Sequence, residues 1–163
     1  MIRPLMITCL TVLLLAAAGG SHAQTDANST GVKHVGLGII IGEPTGIDLK
    51  IFMNKTHALE FALAWSLSNE NDLHIQGDYL WHNYNLIDLD NADELPLFFG
   101  VGGRVILRED PADDIVGIRF PVGLDYIFRN YPFDIFLEIV PILDVAPDTD
   151  FDLEGAIGAR FWF

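Results

Sequence analysis

The sequence predicts an all-β fold: an eight-stranded antiparallel up-and-down transmembrane β-barrel with an apolar exterior and a polar, side-chain-filled lumen. Three observations carry that expectation. From residue 33 onward the chain divides into eight segments whose side chains alternate in character, the period of two that marks a strand. The segments run 9–14 residues, longer than the five or six usual in soluble sheets and matched to the roughly 9–11 that a tilted strand needs to cross a bilayer. One face of every segment is free of charge, while the other collects the charged and the small residues.

The first segment, 33–42, offers Val35, Leu37, Ile39 and Ile41 to one side and Gly36 and Gly38 to the other. "GEPTG" reverses the chain into 46–54, where Ile47, Leu49, Ile51 and Met53 alternate with Asp48 and Lys50. After "NK", segment 57–66 sets Leu59, Phe61, Leu63 and Trp65 against Glu60, Ala62 and Ala64. "LSNEND" leads to 72–84, with Leu73, Ile75, Gly77, Tyr79 and Trp81 opposite His74, Gln76 and Asp78. "IDLDNADELP" precedes 96–107, in which Leu97, Phe99, Val101, Gly103, Val105 and Leu107 alternate with Gly100, Gly102 and Arg104. Beyond "REDPADD", segment 115–128 places Ile118, Phe120, Val122, Leu124, Tyr126 and Phe128 against Arg119, Gly123 and Asp125. "RNYP" opens 133–144, where Ile135, Leu137, Ile139, Pro141 and Leu143 oppose Asp134 and Glu138. "APDTD" leads to 151–163, whose odd positions are apolar or small and whose even positions include Asp152, Glu154, Gly158 and Arg160. Each separator is rich in the Gly, Pro, Asn and Asp that reverse a chain.

Two closed arrangements could use these faces. A soluble lipocalin-like barrel turns the apolar face inward, and a membrane barrel turns it outward. An eight-stranded barrel is only just wide enough inside for side chains. Eight strands of Leu, Ile, Phe and Trp would overfill it, whereas Gly and Ala interleaved with Arg and Glu would fit. Aromatics also gather at strand ends, at Trp65, Tyr79, Trp81, Tyr126 and Phe128, as in an interfacial girdle. The membrane reading follows.

The N-terminal residues suggest export. Arg3 is followed by an apolar run from Met6 to Ala18 and by Ser21-His22-Ala23 before Gln24. That pattern is expected to be a signal peptide over 1–23, too short for a transmembrane helix. Residues 24–32 would form a flexible polar lead-in and 33–163 the barrel domain. Cleavage would remove Cys9, the one cysteine, so no disulfide is expected. It would also leave eight basic residues against 23 acids, a net charge of −15, which disfavours nucleic acid as a partner. Half the residues are hydrophobic, so an architecture that separates the two kinds of side chain is needed.

The inward charges are the candidate site: Asp48, Lys50, Glu60, Asp78, Arg104, Arg119, Asp125, Glu138, Asp152, Glu154 and Arg160, with Asp134 on the same face. Unpaired charge in a low-dielectric lumen is expensive, so a plugging ion-pair network is expected. The alternative is a narrow, weakly cation-selective path drawn by the excess of acid. Lipid-modifying catalysis would need a Ser nucleophile with a His base. Ser29, Ser66 and Ser68 have no evident partner among His34, His57, His74 and His82, and no enzyme activity is expected. "DLDNADE" begins like a calcium loop at Asp88 and Asp90, but Ala92 and the missing Gly break the pattern. "DTDFD" (Asp148, Asp150, Asp152) reads as a solvated turn. No cofactor or metal is expected.

"GIIIGEPTGIDLKIF", "DYLWHNY", "FFGVGGRV", "RFPVGLDYIF" and "DTDFDLEGAIGARFWF" together resemble an uncharacterised bacterial family of small predicted outer-membrane barrels. More broadly, the chain looks like the Gram-negative barrels typified by the membrane domain of outer membrane protein A. The resemblance implies no particular activity. It implies an outer-membrane location, membrane lipid as surroundings, a monomer, and recognition of a terminal strand by the barrel-assembly machinery through Phe161 and Phe163. Both ends of the barrel chain would then face the periplasm, leaving short outer loops at 42–46, 67–71, 108–114 and 145–150. Loops so short make ligand capture or adhesion a secondary expectation.

Overall fold

The computed structural model describes residues 34–65, 72–87, 93–108 and 113–163. The expected signal peptide and lead-in lie outside these residues, as do Ser29, Ser66, Ser68, Asp88, Asp90 and Ala92. The described chain is all-β. Its strands are β1 (Val35–Glu43), β2 (Thr45–Phe52), β3 (His57–Trp65), β4 (Leu73–Asn83), β5 (Leu97–Leu107), β6 (Ile115–Arg119), β7 (Val122–Ile127), β8 (Phe133–Ala146) and β9 (Asp150–Trp162). Each pairs antiparallel with its neighbours, and β9 returns to β1 from Gly36↔Trp162 to Glu43↔Gly155. The sheet is therefore a closed barrel. Closure removes the two free edges of an open sheet.

Nine strands occupy eight positions, because β6 and β7 are halves of one strand. Both lie between β5 and β8, in a single register: Gly102↔Arg119 and Phe99↔Val122 on one side, Arg119↔Ile142 and Val122↔Ile139 on the other. The strand expected without interruption over 115–128 is thus broken at Phe120 and Pro121, and the cause is chemical. Gly100 N–H donates to the Pro121 carbonyl at 2.8 Å, and Phe120 N–H donates to the Pro141 carbonyl at 3.0 Å. Proline has no N–H to return, so the carbonyls of Gly100 and Phe120 receive no ladder bond from these partners. Pro121→Ala or Pro141→Ala should each restore a donor and raise stability by about 1 kcal/mol, the net worth of one hydrogen bond. A urea midpoint that falls in both variants would show that the prolines brace the wall rather than weaken it.

The turns divide the barrel into two ends. The base holds the start of β1, the end of β9 and the β2–β3 turn; the crown holds the β1–β2 turn at Pro44 and the ends of β3, β5 and β8. At the base, Asn54 Oδ1 accepts from the amides of Thr56 and His57 at 2.9 and 3.0 Å and from the Thr56 hydroxyl at 3.1 Å. This side-chain staple satisfies backbone donors that no strand partner reaches.

Side chains sort by parity as the alternation requires. Leu37, Ile39, Ile41, Val122, Leu137, Ile139 and Ile157 are exposed on the outside, Ile41 by 58% and Leu137 by 55%. Lys50, Asp125, Asp134, Arg119 and Arg160 are all buried to 1% or less on the inside. Exposed large hydrophobic side chains occur on every strand but β4, whose outward residues are half-buried, more than scattered surface hydrophobics would give. No helix among the described residues is long and apolar enough to cross a membrane.

Candidate functional site

The inward charges form two clusters. Toward the base, Arg160 is central. Its Nη2 donates to Glu60 Oε2 at 2.8 Å, its Nη1 lies 3.3 and 3.4 Å from Asp125 and Asp134, and its Nε donates to Asp48 Oδ2. The guanidinium also lies 3.7 Å from the Phe136 ring centroid, a cation–π contact. Lys50 Nζ donates to Asp125 Oδ2 at 2.7 Å and lies 3.5 Å from Glu60. His82 Nε2 donates to the same Asp125 oxygen at 3.1 Å, and Trp162 Nε1 donates to Asp134 at 3.0 Å.

Toward the crown, two arginines share one acid. Arg104 donates to Asp144 through Nε and Nη2 at 3.1 and 2.7 Å, a bidentate fork. It also reaches Asp152 at 2.9 Å and Glu154 Oε1 at 2.6 Å. Arg119 takes the other oxygen of Glu154 at 2.7 Å, with Gln76 at 2.6 Å and Asp78 at 3.2 Å. Planar forks suit this arrangement, since each guanidinium binds several carboxylates at once.

Of the expected inward charges, Asp48, Lys50, Glu60, Asp78, Arg104, Arg119, Asp125, Glu154 and Arg160 enter the clusters. Asp152 also joins the crown cluster through Arg104 but is 49% exposed, on the stretch of β9 before its pairing with β1 begins at Gly155. Glu138 is buried, yet its Oε2 has no hydrogen-bond partner, and among the described residues it makes no ion pair. Glu138→Gln should therefore leave unfolding stability within about 1 kcal/mol of wild type or raise it, since no bonded partner is orphaned. Glu154→Gln, which weakens its hold on two buried arginines, should cost about 3 kcal/mol. Equal losses in urea titrations would mean that Glu138 is paired after all.

Sequence reasoning missed Asp144, His82 and Trp162 as cluster members, although all three have inward parity. It also missed the apolar part of the interior. Phe52, Ala58, Leu80, Phe98 and Trp162 pack together at the base, and Ile40, Ala62, Phe136 and Ala156 form a second group. The interior is therefore not confined to small residues and charges. Glycines make the room: a Cβ at Gly158 would come within 2.2 Å of the Phe136 ring, and one at Gly123 within 2.4 Å of Phe98.

Of the girdle residues, Trp65 stands at the crown end of β3, while Trp81, Tyr126 and Phe128 stand toward the base, with Tyr79 one inward step from it. Tyr79 and Trp81 pack edge-on at 4.8 Å, as do Tyr126 and Phe128. Phe161 meets Phe133 at 5.2 Å and Phe163 at 5.0 Å on the outer wall at the base. Among the described residues no three His, Cys, Asp or Glu side chains are placed to hold a metal ion. No family model, curated protein or solved structure matches the chain.

Proposed function

We propose that this chain is a structural β-barrel of the bacterial outer membrane, non-catalytic, with an interior closed by its own side chains. The observation that carries the reading is the inversion of polarity. Four buried cations and their carboxylate partners lie inside, while exposed Leu, Ile, Val and Phe cover the outside. In water that arrangement is unfavourable on both counts. In a bilayer the exposed apolar side chains meet lipid and closure removes the free edges of the sheet. By resemblance, the assembly machinery would read Phe161 and Phe163 on the strand that closes the seam.

The interior carries the second reading, a small cation path. Nine carboxylates, those of Asp48, Glu60, Asp78, Asp125, Asp134, Glu138, Asp144, Asp152 and Glu154, face four cations. Such an excess would favour cations if the lumen opened. Closure is favoured by the apolar plug of Phe52, Leu80, Phe98 and Trp162 at the base, beyond the charged clusters. In planar bilayers wild type should give current near background. Arg104→Ala alone should add little, because the plug remains. Arg104→Ala combined with Phe98→Ala should give a cation-selective current. Large, stable wild-type channels would instead support the diffusion-channel reading.

A further inference from the structure

At the base, the β2–β3 turn, the end of β4 and Phe99 of β5 line a pocket of about 390 Å³. Its outer wall is Trp81 and Phe99, whose rings stack at 5.8 Å with planes 19° apart. Both lie on the outward face of their strands, so this wall of the pocket belongs to the outer surface of the barrel. Its lip is polar, formed by Lys55 and Thr56 from the turn and by Asn83 and Asn85 beyond β4. Lys55 is the one acid-or-base side chain of fixed charge among the lining residues, and no carboxylate lines the pocket. Lys55 is therefore the permanent charge that a ligand meets among the lining residues, and an ammonium pairs with an anionic group.

The lip is also held in place. The Asn54 staple fixes the turn, and His82 N–H donates to the Thr56 carbonyl at 2.7 Å, tying that turn to β4. Asn85 N–H donates to Asn83 Oδ1 at 2.9 Å. Lys55 Nζ stands 5.3 Å over the Tyr84 ring. Burial, and after it the acids Asp125, Glu94 and Asp134, push the Tyr84 phenol up from its ordinary value, so it remains a neutral hydroxyl at physiological pH. The Lys55 ammonium, the side-chain amides of Asn83 and Asn85, and an aromatic wall on the outward face suit one amphiphile.

We propose that this pocket binds the phosphodiester headgroup of a phospholipid in the leaflet at the base, with its acyl chains along Trp81 and Phe99. The ammonium supplies a charge-assisted bond to a phosphate oxygen, and the rings sit at the depth where aromatic side chains favour the interface. The inference rests on the membrane reading above. It assigns the barrel a specific lipid in addition to a general lipid surrounding.

The test uses the barrel chain refolded separately into vesicles of phosphatidylglycerol and of a phosphate-free galactolipid, then extracted in mild detergent. Retained lipid is counted by native mass spectrometry, and heat-modifiable gel mobility reports that the barrel is folded. Wild type should keep one phosphatidylglycerol and no galactolipid. Lys55→Glu should retain the phospholipid about tenfold less, the loss expected for one charge-assisted bond, and Trp81→Ala should also retain less. Excess inorganic phosphate should not displace it. Equal retention by wild type and Lys55→Glu, equal retention of galactolipid, or displacement by free phosphate overturns this inference while leaving the membrane reading intact. A wild-type chain that folds in neither vesicle overturns both.

Discussion

Replacing Arg160 with alanine is expected to cost the barrel about 3–5 kcal/mol, the penalty for breaking a buried ion pair by removing one partner. Four carboxylates, those of Asp48, Glu60, Asp125 and Asp134, converge on this one guanidinium. Without it they face each other with Lys50 as the remaining cation of the cluster, and the Phe136 ring loses the group stacked on it. Refolding yield should collapse at neutral pH. Arg160→Lys, which retains a charge but not the fork, should fall between wild type and Arg160→Ala. An Arg160→Lys loss as large as that of Arg160→Ala would show that the defect is packing rather than charge.

Charge placed on the outer wall should be as damaging, by a different route. Leu137→Arg and Val122→Arg are each expected to cost about 2–4 kcal/mol, the range for an arginine at the bilayer midplane of such barrels. Leu137 is exposed within β8, and Val122 is exposed at the start of β7, near the middle of the composite β6–β7 strand, so the new guanidinium would meet hydrocarbon. Tyr131→Arg, at an exposed turn residue of the base, should be silent. The readout is the fraction of chain that becomes heat-modifiable in phospholipid vesicles. Equal folding of all three variants would remove the reason to place the outer wall in lipid.

The strand pattern was legible because parity is a strong signal in a sheet with two unlike faces. In β9, alternation from Phe151 to Phe163 placed Glu154 and Arg160 inside, and the structure pairs that strand with β1 as closure requires. Parity says which side a residue takes but not what it meets there. Asp144 has the parity of Glu138, yet Asp144 finds Arg104 and Glu138 has an unpartnered oxygen; only the register across β5, β6 and β8 separates them. The break between β6 and β7 was hidden for the same reason. Pro121 keeps the inward parity of Arg119 and Asp125, and the loss lies in its missing amide, not in its direction. The apolar part of the interior, with Phe52 and Phe98 in the base plug and Phe136 in the second group, was missed because side chains of that size were expected to overfill the lumen. Each fits because an alanine or glycine lies directly opposite on the paired strand: Ala58, Gly123 and Gly158.

The inverted polarity is tested most directly by single cysteines along β8, introduced at 134 through 139 in a chain without Cys9. Each would carry an environment-sensitive fluorophore, with quenching measured from brominated lipid and from aqueous iodide. Lipid quenching is expected at 135, 137 and 139, whose native side chains are exposed on the outer wall, and little from either quencher at 134, 136 and 138. Iodide quenching at the odd positions, with no response to lipid, would describe a water-soluble barrel and contradict the membrane reading.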